Sequence, residues 1–359
     1  MRWSIPRRRD RRIGAMNTRL SVVLLPLLFA APLAAQHRAG PAKQNEQLQS
    51  LVGNWTGKGT FTEPGGEPTG WHSRVSYRWV LGGHWLQEDF RFEFDGMPGP
   101  IAFRSYIGWD AAGERYVVVQ ATNEGRATIQ EASMLPDGTM LTFQQRDMGP
   151  APMQERARTR VAGDKMTIAV DFLFPEGPSM QVVEGTYERG GDAYEGELDL
   201  AGHMGAQPHA ELQKMSKRNG AYQTEGQMVM APGQPPTKIR GSDVFADIWS
   251  GTVIEGVTTG TAEGDPTQYE GRAFYAWDDK AKCIRSVFVD SMGMVGQMEG
   301  WFVGDTLVFV HAGKMMGQPL VQRIVMPFEG DAWQQTVSTT CLATADPFVG
   351  FEVRYTKKK

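Results

Sequence analysis

The chain has 359 residues, of which 41% are hydrophobic and 22% charged, with a formal net charge of −4 and two cysteines. Residues 1–35 carry seven arginines and one aspartate, so the other 324 residues carry a net charge of −10. An acidic protein of this kind lacks the basic surface that binds nucleic acids or anionic lipids.

The N-terminal segment has the pattern of a secretory signal peptide. Arginines precede an apolar run from Leu20 to Ala35, which is long enough for a signal sequence and too short for a comfortable membrane span. We expect a signal peptide at 1–35, from Met1 or from an alternative start at Met16, and a bacterial protein that is periplasmic or secreted, with no membrane span after cleavage. An uncleaved N-terminal anchor is the alternative.

The remaining chain contains one pattern twice, about 168 residues apart. The matching pairs are Gly83 with Gly251, Trp109-Asp110 with Trp277-Asp278, and Tyr187 with Tyr355. A period of this length matches a whole domain rather than a solenoid repeat. We therefore predict tandem domains at 43–198 and 209–359, joined by a linker at 199–208.

Each copy begins with a short helical pattern and continues in strand-sized runs. Asn45 to Val52 and His209 to Arg218 have helical spacing, and period-two alternation follows, as in Val75, Tyr77 and Trp79. Turn signals separate ten such runs in each copy, and none of the intervals is long enough for the crossover helices of a parallel sheet. The predicted fold is all-β: two tandem up-and-down antiparallel β-barrels of about ten strands, calycin/lipocalin-like, each with a short N-terminal helix.

An outer-membrane barrel is the structural alternative. The polar face of the strands carries Arg, Asp and Glu at the density of a soluble protein, and the chain ends in three lysines. Lipid would disfavour those charges on an outer face. The soluble barrel is therefore the favoured prediction.

Cys283 and Cys341 both lie in the second copy. In an oxidising compartment such a pair favours a disulfide. Cys283 begins one predicted strand and Cys341 ends the fourth strand after it, which places them at opposite ends of a meander barrel. The sequence leaves both alternatives open.

Three motifs resemble known families. Leu48-x-x-Leu51-x-Gly53-x-Trp55 resembles the first motif of calycin-like barrels, in which a helix closes one end of the barrel. The segments from Leu81 to Leu86 and from Gly108 to Asp110 resemble the bacterial domain-of-unknown-function 1579 family, exported proteins with a lipocalin-like fold. The match is good in the first copy and weak in the second.

The resemblance implies a barrel with a lumen and no particular reaction. A neighbouring calycin family binds haem through a histidine near its C-terminus. Neither copy has a histidine on its last strand, around Tyr187 or Tyr355. No cofactor is therefore expected.

The strand alternation predicts an inner face for the first barrel, and this face is the candidate ligand-binding site. Its members are mostly aromatic: Trp55, Tyr77, Trp79, Glu88, Phe90, Phe92, Phe103, Trp109, Tyr116 and Gln120. A concave, largely aromatic lining with few polar groups suits a small apolar or amphipathic molecule. The alternative for Trp109 is a core plug, with Asp110 capping its own turn.

The second copy has Gly, Ser, Thr and Met in place of much of this face, and Gly256 stands where Glu88 would be. Two equivalent sites would both need their linings. We therefore expect a ligand site mainly within residues 48–188, with the second barrel in a supporting, occluding or oligomerising role.

Two other functions remain open. Glu88 and Gln120 interrupt the apolar face, so Glu88 could be the general base of a hydrolase or isomerase, although an internal hydrogen bond is the simpler interpretation. The duplication also suggests a structural or interaction module of the cell envelope, in which the two barrels contact each other.

Catalytic residues are not predicted, because the standard catalytic motifs are absent from the sequence. Met292, Met294 and His311 have the donor types that bind Cu(I), but methionine as an adaptable core filler is favoured, and no metal site is predicted.

Overall fold

The structure is a computed structural model that describes residues 40–96, 99–147, 152–190, 206–229, 233–315, 318–327, 332–341 and 347–358. The predicted signal peptide and most of the predicted linker lie outside the described residues. Within the described residues, no helix is both long enough and apolar enough to span a membrane.

The first barrel has ten antiparallel strands in a closed meander, in which each strand pairs with its sequence neighbours and β1 pairs with β10. The strands are β1 (Gly53–Thr62), β2 (Pro68–Val80), β3 (Trp85–Phe94), β4 (Ile101–Asp110), β5 (Arg115–Thr122), β6 (Arg126–Met134), β7 (Met140–Asp147), β8 (Pro152–Ala162), β9 (Lys165–Leu173) and β10 (Met180–Arg189).

The second barrel repeats this topology, and β11 pairs with β20 to close it. Its strands are β11 (Gly220–Met228), β12 (Thr237–Ile248), β13 (Val253–Ala262), β14 (Asp265–Asp278), β15 (Cys283–Asp290), β16 (Val295–Val303), β17 (Thr306–Met315), β18 (Gln318–Pro327), β19 (Ala332–Cys341) and β20 (Phe348–Lys357). The prediction of two tandem ten-stranded antiparallel barrels is confirmed.

A short helix precedes each barrel, as predicted. A 3-10 helix (Lys43–Leu51) buries Leu48 and Leu51 before β1, and α1 (Ala210–Ser216) buries Leu212 and Met215 before β11. These side chains belong to the inner hydrophobic cores of the two barrels. Each helix therefore closes one end of its barrel. A second 3-10 turn (Leu81–Gly83) connects β2 to β3.

Hydrophobic side chains also pack between the two barrels. The outer faces of both contribute to one buried cluster, with Trp85, Tyr106 and Val117 from the first barrel and Phe274 and Val287 from the second. The Tyr106 and Phe274 rings stack with their centroids 5.6 Å apart. The two barrels belong to a single compact unit.

Polar residues cross the same interface. The sequence indicates that Gln87 and Asp89 lie on a solvent-exposed face of β3, but both are buried. Arg104 explains the difference, because its Nε lies 2.6 Å from Asp89 Oδ1 while its Nη1 lies 3.0 Å from Glu255 Oε2 of the second barrel. Tyr106 donates a hydrogen bond to the same Glu255 carboxylate. The outer face of the first barrel is polar here because it binds the second.

The cysteine alternatives are resolved by Cys283. Its thiol is buried and free, so the disulfide is not formed. Cys283 begins β15 and Cys341 ends β19, the fourth strand after it, as the strand count indicates.

Candidate ligand-binding lumen

All ten predicted site residues lie at inward-facing positions of the first barrel. They form three layers along the barrel axis. The layer beneath the N-terminal helix contains Trp55, Trp79, Trp109 and Tyr116; the middle layer contains Tyr77, Glu88 and Gln120; and the layer farthest from the helix contains Phe90, Phe92 and Phe103. The structure therefore brings them into one lumen, with different surroundings for each layer.

The layer beneath the helix is tied to the helix by hydrogen bonds. Trp55 Nε1 donates to the Leu51 carbonyl at 2.7 Å, and Trp79 Nε1 donates to Gln49 Oε1 at 2.8 Å. The Tyr116 hydroxyl donates to a helix carbonyl at 2.5 Å. These aromatic side chains close the barrel end, which makes them a core plug rather than an open stacking platform.

Asp110 has the structural role that the sequence offered as an alternative. Its Oδ1 accepts hydrogen bonds from the backbone N–H groups of Ala112 and Gly113. Asp278 does the same for Lys280 and Ala281 in the second barrel. The repeated Trp-Asp pairs thus end a strand and cap the turn that follows it.

The middle layer contains a hydrogen-bonded chain of polar side chains across six consecutive strands, which we term the polar belt: Tyr77, Glu88, Ser105, Gln120, Gln130 and Gln144. Tyr77 donates to Glu88 Oε1 at 2.6 Å. Gln120 donates to Ser105 Oγ at 3.2 Å and accepts from Gln130 Nε2 at 2.9 Å. Gln130 Nε2 also lies 3.4 Å from Gln144 Oε1.

Glu88 is the ionisable carboxyl of the belt. Burial raises its pKa from 4.5 to about 7, and hydrogen bonds from Tyr77 and Ser105 act against that shift. Burial and the neighbouring Glu88 also raise the pKa of Tyr77 well above its ordinary value. Near neutral pH both protonation states of Glu88 are populated, so its carboxyl can donate or accept a hydrogen bond.

The third layer forms an aromatic wall on the β2–β4 side. Phe90 and Phe103 stack with their ring centroids 4.3 Å apart, and Phe92 lies 4.6 Å from the Trp71 ring. On the opposite side, Thr142 and Gln144 of β7 face inward and keep part of their surface accessible. The lumen therefore has an apolar wall facing a polar one.

Sequence reasoning missed three members of the polar belt, namely Ser105, Gln130 and Gln144. Ser105 occupies an inward position between apolar neighbours on β4, so the alternation contained its signal. Gln130 and Gln144 lie on strands whose inner faces mix polar residues with Ala132 and Met140, so apolar alternation gives only a weak signal there.

Metal ligands are not grouped in the described part of the chain: no three His, Cys, Asp or Glu side chains there are placed to hold one ion. His311 Nδ1 lies 2.8 Å from the Gln297 carbonyl oxygen, and Met294 is 46% exposed.

A family model matches both barrels. The model of the family described as "Protein of unknown function (DUF1579)" matches residues 40–189 and 206–338. The comparison with curated proteins finds no match at the threshold applied.

Three solved structures are similar at low sequence identity. Rv2717c from M. tuberculosis is 15% identical over 42% of this chain and 99% of its own, with a TM-score of 0.32. The S-type phycobiliprotein lyase CPES from Guillardia theta is 13% identical over 45% of this chain and 98% of its own, with a TM-score of 0.30. A DUF3598-family protein of unknown function from Nostoc punctiforme is 10% identical over 89% of this chain and 100% of its own, with a TM-score of 0.26.

Proposed function

The chain belongs to the DUF1579 family over both of its barrels, and on that premise we propose that it is an exported, non-enzymatic binding protein whose first barrel holds a small amphipathic molecule. The polar belt is the observation that carries this proposal. It crosses a lumen whose other two layers are aromatic. Ligand sites are commonly apolar cavities with a few placed polar groups, and the first lumen has that composition.

The two walls of the lumen suggest how such a molecule would be oriented. Its apolar part would lie against the stacked Phe90 and Phe103 rings. Its polar group would meet Glu88 and the glutamines of the belt, which offer both donors and acceptors. Below pH 7 a protonated Glu88 can donate to the head group of a carboxylic acid.

A lumen-blocking variant tests the proposal. Thr142 of β7 faces inward and is paired with Ala132 of β6 and with Ala157 of β8. Because both neighbouring side chains are small, Thr142→Phe adds a ring that projects into the lumen. Thr186→Phe, on the exposed side of β10, is the matched control. Intrinsic tryptophan fluorescence is titrated with dodecanoic acid at pH 6.

We expect a saturable change in fluorescence for the wild type and for Thr186→Phe, and an apparent Kd at least tenfold weaker for Thr142→Phe. Equal affinity in all three proteins would contradict binding in the first lumen. A wild type with no saturable change would contradict the amphipathic ligand class as well.

Export is part of the same proposal and is tested separately. N-terminal sequencing of the protein purified from the periplasm of a bacterial host should give a chain that begins at Gln36, as expected for cleavage after Ala35. Recovery from the cytoplasm with the first 35 residues intact would contradict export.

A hydrolase or isomerase is the second candidate, favoured by the pairing of Glu88 with Tyr77. A carboxyl whose pKa lies near 7 is suited to general acid and base catalysis, and the Tyr77 hydroxyl lies 2.6 Å away. Glu88→Gln would abolish turnover of any substrate processed in this lumen. Turnover that survives this substitution unchanged would end the candidate.

An interaction module of the cell envelope is the third candidate. Its support is the buried cluster between the barrels and the contact of Arg104 with Glu255. In this candidate the covalent pair of barrels is the functional unit, and the lumens need no ligand.

A further inference from the structure

The second lumen differs from the first at the positions of the aromatic wall. Strand register makes the comparison direct, because Phe90 pairs with Phe103 in the first barrel and Thr258 pairs with Gly271 in the second. Phe92 is likewise replaced by Gly260. In the first barrel Phe92 pairs with Ser73 of β2, and in the second barrel Gly260 pairs with Gly241 of β12. Three phenyl rings are thus absent from the inner face of β13 and β14, and the second lumen has less side-chain volume at this level.

Polar groups without partners occupy the same lumen. Among the described residues, Asp243 Oδ1 and Ser286 Oγ have no hydrogen-bond partner and are inaccessible to solvent. Asp243 is 3% exposed and Ser286 is fully buried. A buried polar group that lacks a partner is destabilising, and more so if it is charged. Such groups in a lumen are available to accept hydrogen bonds from a bound molecule.

The surroundings of Asp243 are acidic and aromatic. Burial raises the pKa of Asp243, while the Tyr355 and Thr258 hydroxyls beside it act in the opposite direction. Tyr275 has its pKa raised by burial and by Asp243, and the Ser286 hydroxyl beside it acts in the opposite direction.

A second buried carboxyl lies towards the barrel end opposite α1. Asp290 ends β15 and accepts hydrogen bonds from the backbone of Met292 and Met294 on Oδ1. Burial raises its pKa to about 6, so it is largely ionised at neutral pH. Burial, Asp290 and Asp243 all raise the pKa of Tyr269 well above its ordinary value.

From this arrangement we propose that the second lumen is a separate binding site for a compact organic cation bearing a primary ammonium group. The ammonium N–H groups would donate to Asp243 Oδ1 and Ser286 Oγ, and its positive charge would offset the buried carboxyls. The tyrosine rings would contact the cation and the apolar part of the ligand. This proposal does not depend on the first lumen, and it gives a binding role to the barrel that the sequence assigned to support.

Isothermal titration calorimetry on the full chain at pH 7.5 tests the proposal with two isosteric probes. The probes are 2-phenylethylamine, which is protonated, and 2-phenylethanol, which is neutral. We expect saturable binding of the amine, at least tenfold tighter than binding of the alcohol. Absence of saturable amine binding, or equal affinity for the two probes, would overturn the proposal.

Three variants locate the site. Asp243→Asn removes the negative charge and replaces one carboxyl oxygen by an amide donor, and it should weaken amine binding at least tenfold. Ser286→Ala removes the hydroxyl acceptor and should weaken amine binding severalfold. Gly260→Phe restores the ring present in the first barrel, and a Cβ there would meet only the Arg240 carbonyl oxygen, at 3.4 Å. It should abolish amine binding.

Asp305→Asn is the matched control, because it removes one negative charge from an exposed turn of the same barrel. It should bind the amine with wild-type affinity. A loss equal to that of Asp243→Asn would show that the amine responds to net charge alone and would overturn the site. Circular dichroism melts confirm folding, and if Gly260→Phe does not fold, Asp243→Asn and Ser286→Ala decide.

Discussion

The Tyr77 hydroxyl donates a hydrogen bond of 2.6 Å to Glu88 Oε1 inside the first barrel, where the two residues are directly paired on β2 and β3. Both side chains are buried. The bond satisfies one carboxyl oxygen, but it does not prevent burial from raising the pKa of Glu88 to about 7. Glu88 is therefore a site at which protonation, stability and ligand binding are linked.

Glu88→Gln should remove a pH dependence of stability. The folded protein holds a proton on Glu88 that the unfolded chain, with a pKa near 4.5, releases. The free energy of unfolding therefore falls as pH rises from 4.5 to 7 and loses nothing further above that range. The contribution is about 3 kcal/mol. Urea unfolding at pH 5 and pH 8 measures this contribution, and the exposed Glu188→Gln is the control. If the free energy of unfolding changed equally with pH in the wild type and in Glu88→Gln, the burial argument would be contradicted.

Trp55→Ala should destabilise the chain more than Tyr222→Ala. Trp55 is fully buried beneath its helix, and the Arg189 guanidinium lies 4.1 Å from its ring. Removing the indole leaves a large cavity and costs about 3–5 kcal/mol. Tyr222 has the corresponding role, donating to the Arg218 carbonyl at 2.8 Å, but its ring is smaller. Denaturant unfolding compares the two, and an equal or larger loss for Tyr222→Ala would show that the second barrel end depends as strongly on its aromatic plug.

Arg104→Met should be strongly destabilising through the charges it leaves behind. Asp89 would remain buried, with Arg78 Nη1 3.4 Å from its carboxylate. Glu255 would lose its cationic partner across the interface. Breaking a buried pair costs about 3–5 kcal/mol. The exposed Arg160→Met should change stability by no more than about 0.5 kcal/mol. Comparable losses for both arginines in chemical unfolding would argue against a structural role for the Arg104 contacts.

Separate expression of 40–190 and 206–359 should give proteins less soluble and less stable than the full chain. Each half would expose its side of the buried cluster, including Trp85 and Tyr106 from one and Phe274 from the other. Large exposed apolar patches promote association. Thermal melts and size-exclusion chromatography of each half compare them with the whole. Two halves that are monomeric and as stable as the full chain would contradict an extensive interface.

The alternation of side chains was sufficient to predict the inward face of the first barrel. Successive residues of a strand point to opposite faces, so Phe90, Phe92 and Phe103 could be assigned without the structure. The same rule gives no contrast on β6, where Ile129 lies between Thr128 and Gln130 and packs against the interface cluster. Here the outward residue is apolar and the inward residues are polar, which is the reverse of the usual apolar-inside pattern. Alternation therefore gave only a weak signal for the glutamines of the polar belt.

The interface between the barrels could not be predicted from local sequence. Arg104 and Glu255 are separated by 151 positions, and their contact depends on how two closed sheets dock. Asp89 looked like an ordinary exposed charge because its strand alternates regularly. Asp243 and Ser286 in the second lumen were also missed, because alternation identifies an inner face by its apolar residues and gives no signal for a polar residue on that face.

The most direct test of binding in the first lumen is a crystal structure of the mature protein with 12-bromododecanoic acid, solved with anomalous data at the bromine edge. The first lumen should contain the bromine peak, with the carboxyl group against the polar belt and the alkyl chain passing the Phe90 and Phe103 rings. A bromine peak in the second lumen beside an unoccupied first one, or on the protein surface alone, would contradict the account.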